Sequence, residues 1–151
     1  MRAAVRRTYG SPEDVLDVRE IGRPEPAADE LLVRVHSASV NPFDWHVVTG
    51  VPYIGRIQGG LRRPKEERSG IDFAGMVEAV GKDVTQFQSG EDVFGGRDGA
   101  FAEYVCVPEE RAVVTKPADV TFEHAATVPI AAVTALQACV TRADSSRGRR
   151  S

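Results

Sequence analysis

The stretch that decides the fold is ELLVRVHSASVNPFDWHVVTG, residues 30–50. Its first half places Leu31, Val33 and Val35 on one face, opposite Leu32, Arg34 and His36. This alternation is typical of a strand with one face in water. Asn41-Pro42 ends the strand, because a residue before proline avoids the helical conformation. Pro42 suits the first turn of a short helix, PFDWHVVTG, which closes at Gly50.

Further short strands are predicted on both sides of this stretch. Residues 1–7 alternate weakly and could open a sheet, whereas the Pro- and acid-rich residues 11–30 predict a surface connection. IDFAGMVEAVG, residues 71–81, predicts another strand, and Gly75 within it indicates a bulge or a close backbone approach. KDVTQFQSGEDVFG predicts a turn and a short strand, and GAFAEYVCVPEERAVVTKP predicts two more.

The chain then changes character at Thr121, which is expected to cap the helical run TFEHAATVPIAAVTALQA. Pro129 interrupts that run. Many short strands followed by helix predict a β-dominated α+β fold, built as a small, partly open Greek-key barrel with a C-terminal helix.

Composition restricts the function classes. The chain has 151 residues, 42% of them hydrophobic, and a formal charge of −3. Residues 139–151 carry four Arg and one Asp, which leaves −6 for the residues before them. An acidic body argues against nucleic acid as a partner. The absence of any run of about 18 apolar residues predicts no membrane span, and no signal peptide is recognised, so a reducing cytoplasm is expected.

Several familiar binding motifs are missing. The fourteen glycines include no G-x-G pair, and hence no dinucleotide fingerprint. Gly50 and Gly55 have the spacing of a P-loop, but Arg56 stands where lysine is needed. The two cysteines stand alone and the three histidines are far apart, which predicts no zinc site.

The positive candidate is the strand-to-helix junction, where Asn41, Asp44 and His46 crowd together. They could line a catalytic pocket, but a capped helix start with an acidic first turn explains them equally directly and is the favoured interpretation. Asp72 lies among apolar residues and needs a partner; a pocket residue or nearby backbone would serve. The loop from Gly50 to Gly70 carries basic residues that could contact a cofactor phosphate or simply be solvated: Arg56, Arg62, Arg63, Lys65 and Arg68.

The same segments resemble the medium-chain dehydrogenase/reductase superfamily. The resemblance is carried by GSPEDVLDVRE, ELLVRVHSASVNPFDWHVVTG, GIDFAGMVEAVGKDVTQFQSGEDVFG, GAFAEYVCVP and KPADVTFEHAATVPIAAVTALQA, which together span residues 1–138 almost without a break. It implies a GroES-like domain over residues 1–127. Residues 128–138 would begin the linker helix toward a Rossmann domain, which the sequence does not contain.

Within that superfamily the chain resembles the zinc-free branch of quinone and enoyl reductases. Asn41 stands where zinc-dependent relatives have a cysteine ligand, and Ile71-Asp72 replaces their His-Glu pair. The resemblance implies NADPH as the cofactor and a quinone, enone or aldehyde as the small-molecule substrate. It implies that Asn41, Asp44 and Tyr53 are catalytic-site residues, that Asn41 and Thr134 contact the cofactor, and that full-length relatives form dimers.

The last segment, CVTRADSSRGRRS at residues 139–151, departs from the resemblance. A suitable choice of codons converts it, after a shift of one base, into a sequence like the expected continuation. We therefore interpret it as an out-of-frame tail, and a genuine C-terminal tail is the alternative. The chain is then expected to be an inactive part of an oxidoreductase with an exposed apolar face around residues 128–136. Two alternatives stay open: a free-standing, non-enzymatic GroES-like binding module, and one half of a split enzyme.

Overall fold

The strand and helix of residues 30–50 lie at the centre of the fold. The structure, a computed structural model, describes residues 1–53, 57, 60–111 and 113–147, with the backbone alone for 142–147. The strands are β1 (Arg2–Val5), β2 (Asp17–Glu20), β3 (Glu30–Ser39), β4 (Asp72–Val80), β5 (Asp92–Gly96), β6 (Tyr104–Pro108) and β7 (Val113–Thr115). The helices are α1 (Pro12–Val15), α2 (Pro42–Thr49), α3 (Phe122–Ala126) and α4 (Val133–Arg147), with a π-helical turn at Val128–Ala132 between the last two.

Five strands form one antiparallel sheet in the order β6-β3-β4-β5-β7, and β1 pairs with β2 in a second, two-stranded sheet. Isolated bridges from Ala3 to Ala102 and from Val5 to Arg68 connect β1 to the rest of the domain. The predicted β-dominated fold is confirmed. In the described part of the chain, no helix combines the length and the apolar character that crossing a bilayer requires.

The main core lies on one face of the large sheet, as the alternation of β3 predicts. The residues buried there are Leu31, Val33, Phe73, Val77, Val93, Ala100, Val105, Val107 and Val113. Helix α3 packs Ala125 and Ala126 against Ala74 on β4. Burial of this apolar surface is the main driving force for the fold.

The predicted irregularity at Gly75 is confirmed. The β3–β4 register shifts between Val35 and Ser37, opposite this residue. A Cβ atom at Gly75 would lie 2.1 Å from the carbonyl oxygen of Arg34. Only glycine therefore lets the two strands approach this closely.

Two segments differ from the sequence-based prediction. Residues 11–30, predicted as a connection only, form α1 and β2, although the side chains of β2 are all exposed. The helix after Pro129 does not end near Ala138 but continues through Arg147. Its side chains Val133, Leu136 and Val140 are exposed, so the described structure has the exposed apolar helix surface that the sequence predicts. The origin of residues 139–151 stays a prediction, and residues 148–151 lie outside the described residues.

Candidate functional site

The candidate site is built where β3 ends, α2 begins and β4 begins. Asn41 is the residue before α2, with extended backbone, and Gly50 closes the helix in the left-handed conformation at φ 67°. Asn41 and Asp44 form a capping box, in which Asp44 Oδ2 accepts a hydrogen bond from Asn41 N at 2.7 Å. The interpretation of this motif as a capped helix start is therefore confirmed.

Asp72, the first residue of β4, is fully buried and joins three separate parts of the chain. Its Oδ2 accepts hydrogen bonds from Asn41 Nδ2 at 2.9 Å, from Ser39 Oγ at 3.3 Å and from Ile130 N at 3.1 Å. We call Ser39, Asn41, Asp44, Asp72 and Ile130 the Asp72 cluster. The sequence favoured a nearby backbone partner for this carboxylate. The backbone partner exists, but it lies 58 residues away, and the other two partners are side chains.

The π-helical turn supplies the third of these donors. Pro129 has no N–H group, and it interrupts the regular helical pattern as predicted. Ile130 N is then directed to Asp72. The proline within a helical run was a signal for this irregularity. Nothing in the sequence indicated that Asp72 would be the partner of Ile130 N.

Each of the two carboxyl groups of the cluster has one oxygen that can still accept a hydrogen bond. Asp44 Oδ1 and Asp72 Oδ1 are buried and have no hydrogen-bond partner among the residues that the structure describes. Burial raises the pKa of Asp72, and its three hydrogen bonds only partly oppose this effect. Burial also raises the pKa of Asp44, and the nearby Asp72 carboxylate adds to the rise. The cluster is therefore an acidic centre held largely out of water.

An apolar pocket of about 380 Å³ adjoins the cluster. It is lined by Phe43, Ile71, Pro129, Ile130 and Thr134. Sequence reasoning identified Thr134 but missed the other four, although Phe43 lies between Asn41 and Asp44, and Ile71 precedes Asp72. We call this cavity the apolar pocket.

The predicted site residues are only partly brought together. Asn41 and Asp44 lie in the cluster, and Thr134 lines the apolar pocket beside it. Tyr53 follows α2 and is 71% exposed, outside the cluster. His46 is exposed and contacts Val51 O through Nδ1 at 2.7 Å, as expected for a surface histidine.

The basic loop after α2 is only partly described. Arg56 lies outside the described residues. Arg68 is half-buried and bonded to Glu66 through Nε and Nη2 at 3.0 and 3.1 Å. This pairing reduces the capacity of Arg68 to bind a phosphate.

The residues at the cluster do not fit a zinc ion. The three positions that correspond to the zinc ligands named in the sequence analysis hold the amide of Asn41, the alkyl side chain of Ile71 and the carboxylate of Asp72. This carboxylate already accepts three hydrogen bonds. Zinc in proteins is held mainly by thiolate and imidazole ligands. Among the residues described, no group of three or more His, Cys, Asp or Glu side chains is placed to hold a metal ion.

The apolar pocket does fit the nicotinamide end of a dinucleotide. Its lining offers apolar surface for a flat ring, and the hydroxyl of Thr134 offers one polar contact. The pyrophosphate end needs a glycine-rich turn at a helix N-terminus, and the sequence has no G-x-G pair.

Comparison with known proteins agrees with this geometry. Residues 27–118 match the alcohol dehydrogenase GroES-like domain family. The chain is 35% identical over 147 residues to the chloroplastic quinone-oxidoreductase homolog of Spinacia oleracea, covering 91% of this chain and 41% of that protein.

Two solved structures have the same fold over most of this chain. The quinone oxidoreductase of Coxiella burnetii superposes with a TM-score of 0.81 at 31% identity, covering 93% of this chain and 44% of that one. The Escherichia coli quinone oxidoreductase complexed with NADPH gives a TM-score of 0.71 at 24% identity, covering 83% and 36%. The chain thus spans about two fifths of the length of the relatives it matches. It belongs to the alcohol dehydrogenase GroES-like domain family, in the quinone-oxidoreductase-like part of the medium-chain dehydrogenase/reductase superfamily.

Proposed function

We propose that this chain is the substrate-side domain of a zinc-independent, NADPH-dependent oxidoreductase. The substrate class is a small molecule with an activated double bond or carbonyl, namely a quinone, an enone or an aldehyde. The observation that carries the proposal is the apolar pocket beside the Asp72 cluster, because it places an open, apolar cavity of about 380 Å³ next to buried polar groups. Bound NADPH would supply a hydride.

The work of the chain's own residues is positioning. Asn41 and Asp44 fix the start of α2 and thereby hold Phe43 in the lining of the pocket. Asp72 fixes the opposite side through Ile130. We assign Asn41, Asp44 and Tyr53 to the substrate side, and Asn41 and Thr134 to the nicotinamide. Holding two reactants in the correct geometry accelerates such a reaction strongly without an acid or base from the protein.

Zinc independence is part of the proposal and is supported by the donor chemistry at Asn41, Ile71 and Asp72 described above. The division into residues 1–127 as the domain and residues 128–138 as the start of a linker is proposed too. The π-helical turn at Val128–Ala132 lies at that boundary. A reducing cytoplasm is the proposed compartment, and the free cysteines Cys106 and Cys139 are compatible with it.

The isolated 151-residue chain is expected to be inactive, because these residues contain no fingerprint for the cofactor's phosphates. The direct test joins residues 1–138 to the cofactor domain of the Coxiella burnetii relative. NADPH oxidation is then followed with benzoquinone and with methyl vinyl ketone, before and after treatment with EDTA. We expect turnover by the chimera, no effect of EDTA, and no turnover by the isolated chain.

Two variants make the assignment specific. In the chimera, Asn41→Ala is expected to lower kcat/KM by about tenfold or more, because it loosens the pocket. The matched control is Asp119→Ala, which alters an exposed turn. A folded chimera that binds NADPH but reduces neither compound would contradict the proposal and favour a non-enzymatic binding module. Loss of turnover with EDTA would contradict zinc independence.

A further inference from the structure

A second pocket contains a buried cation, Arg6, whose guanidinium is only partly satisfied by a side-chain hydrogen bond with Tyr9. Arg6 follows β1 and is only 5% exposed, whereas its neighbour Arg7 is exposed. Arg6 Nε and Nη1 have no hydrogen-bond partner within the described residues. The guanidinium carbon lies 5.3 Å from the ring centre of Tyr9. Burial lowers the pKa of Arg6, but a guanidinium stays charged at neutral pH. Burying a charged group whose hydrogen-bond donors are not all satisfied is unfavourable, so Nε and Nη1 have capacity for a ligand.

Ser69 presents a second unused group to the same pocket. This residue is 2% exposed, and its Oγ has no partner in the described part of the chain. Its backbone is fixed by hydrogen bonds from Ser69 N to Ala4 O at 2.9 Å and from Phe101 N to Ser69 O at 2.8 Å. The cavity has a volume of about 340 Å³, and Arg6, Ser69 and Lys65 all line it. We call it the Arg6 pocket.

The acidic residues of the pocket do not neutralise Arg6. Glu66 lines the pocket but is bonded to Arg68. Asp98 also lines it and attracts Arg6 electrostatically, without a hydrogen bond to Nε or Nη1. With Lys65 and Arg68 counted, the lining carries three positive and two negative side chains. The unused donors of its lining are Nε and Nη1 of Arg6 and the hydroxyl of Ser69, and donors of this kind suit an oxyanion.

The Arg6 pocket lies beside the apolar pocket. Phe43 and Ile71 line both cavities. A molecule that extends from one to the other would place an anionic end near Arg6 and an apolar, reactive end near Thr134. Because Arg6 Nε and Nη1 are closed to water, binding requires a lining side chain to move. Lys65 is exposed and Phe43 is 51% exposed, so both are placed to do so.

We propose that the Arg6 pocket binds a carboxylate of the substrate. For the reaction, this inference rests on the proposed oxidoreductase function and narrows its substrate class to enones or quinones that carry a carboxylate. The anion site itself stands on the geometry of Arg6 and Ser69. A phosphate is the other oxyanion of matching chemistry. The carboxylate is favoured because Phe43, Val47 and Ile71 give the pocket an apolar side that suits a carbon skeleton.

The first test is binding to the chain itself by isothermal titration calorimetry. Benzoate is the probe, benzamide is its neutral analogue, and inorganic phosphate is the competing anion. We expect benzoate to bind saturably, benzamide not to bind in this way, and phosphate to bind more weakly than benzoate. Arg6→Gln and Ser69→Ala should each weaken benzoate binding, the first by about tenfold or more. The matched control Arg2→Gln alters an exposed arginine paired with Glu103, and it should bind benzoate as the original chain does.

Folding of the variants is checked by thermal unfolding without ligand. Arg6→Gln removes a buried charge together with its contacts to Tyr9, so its unfolding midpoint is measured to establish that the variant folds, and Ser69→Ala is expected to leave the midpoint nearly unchanged. Benzoate binding that is absent, is matched by benzamide, or is unaffected by both variants would overturn the anion site. Phosphate binding as tight as that of benzoate would overturn its assignment to a carboxylate.

A second test separates this inference from the proposed function. In the chimera, kcat/KM is compared for β-acetylacrylate, an enone with a carboxylate, and for its methyl ester. We expect preference for the acid, lost in Arg6→Gln and kept in Arg2→Gln. Benzoate binding without any reduction would refute the oxidoreductase proposal and leave the anion site. Reduction of neutral enones without benzoate binding would refute the anion site and leave the oxidoreductase proposal.

Discussion

Replacing Asp72 by alanine should destabilise the domain more than replacing it by asparagine. The carboxylate accepts three hydrogen bonds through Oδ2, from Asn41, Ser39 and Ile130. Alanine removes this shared acceptor, and of the three donors Asn41 Nδ2 keeps another hydrogen bond, to Ser39 Oγ at 3.2 Å. Asparagine keeps an acceptor oxygen in the same place and removes the buried charge. The two variants therefore separate the value of the hydrogen bonds from the cost of the charge.

The magnitude follows from two opposing effects. A hydrogen bond to a charged group contributes about 1.5–3 kcal/mol, so three of them amount to about 4.5–9 kcal/mol. Burying the carboxylate opposes this by several kcal/mol, and the same burial raises the pKa of Asp72. We expect Asp72→Ala to lower the free energy of unfolding by about 2–3 kcal/mol, and Asp72→Asn to change it by less than about 1 kcal/mol.

Urea unfolding followed by circular dichroism measures both values, and thermal unfolding provides a second measurement. Asp72→Ala should lower the thermal midpoint by about 4–12 °C, given the usual scaling for a chain of this size. Asp119→Ala, at an exposed position, is the control and should match the unaltered chain. Equal losses for the alanine and asparagine variants would refute the reasoning, because the charge and not the acceptor would then determine stability.

Three other predictions concern the fold and its titratable groups. Gly75→Ala should destabilise the domain by about 1–3 kcal/mol because its Cβ would meet a β3 carbonyl oxygen; Gly22→Ala, where a Cβ has open space, is the control in urea unfolding. Folding raises the pKa of Asp44, so the protonated group contributes to the stability of the fold. This contribution is complete below the pKa that Asp44 has in the unfolded chain, and it is lost as the pH rises through its pKa in the folded chain. Urea unfolding across that range should therefore show the original chain losing stability relative to Asp44→Asn as pH rises; the opposite trend would contradict the assignment. Burial raises the pKa of Cys106 to about 11, so iodoacetamide at neutral pH should modify the exposed Cys139 first, and mass spectrometry that finds Cys106 modified first would contradict this.

The central stretch was predictable because its signals are local. The Asn41-Pro42 junction and the glycine at the end of α2 each act over a few residues, and the structure confirms both. The alternation of β3 is confirmed in part, because Leu32, predicted on the face in water, is only 3% exposed. Gly75 was predictable for the same reason, since glycine within a strand has few other uses. The β-dominated fold followed from the succession of such signals.

The contacts that make the site were not predictable in this way. For Asp72 the sequence indicated only that the carboxylate needed a partner. Its partners come from the end of β3, from the residue before α2 and from a π-helical turn 58 residues away. The sequence carried even less information about Arg6. It is one of two consecutive arginines, Arg6 and Arg7, of which the first is buried and the second is exposed. Nothing local distinguishes them; burial of Arg6 depends on the distant segments that line its pocket. Strand β2 was missed because all its side chains are exposed, so it has no apolar pattern.

The location of the unsatisfied polar atoms connects the two pockets. In the described part of the chain, the buried side-chain atoms without partners belong to Arg6, Asp44, Ser69 and Asp72. All four are near Phe43 or Ile71, either through the Arg6 pocket lining or as direct neighbours in sequence. Native folds satisfy most of their buried polar groups, so the concentration of unused donors and acceptors in one region agrees with the ligand site proposed around Arg6. A ligand that engaged both pockets would bind only the folded chain, and its binding free energy would add directly to the stability of the domain.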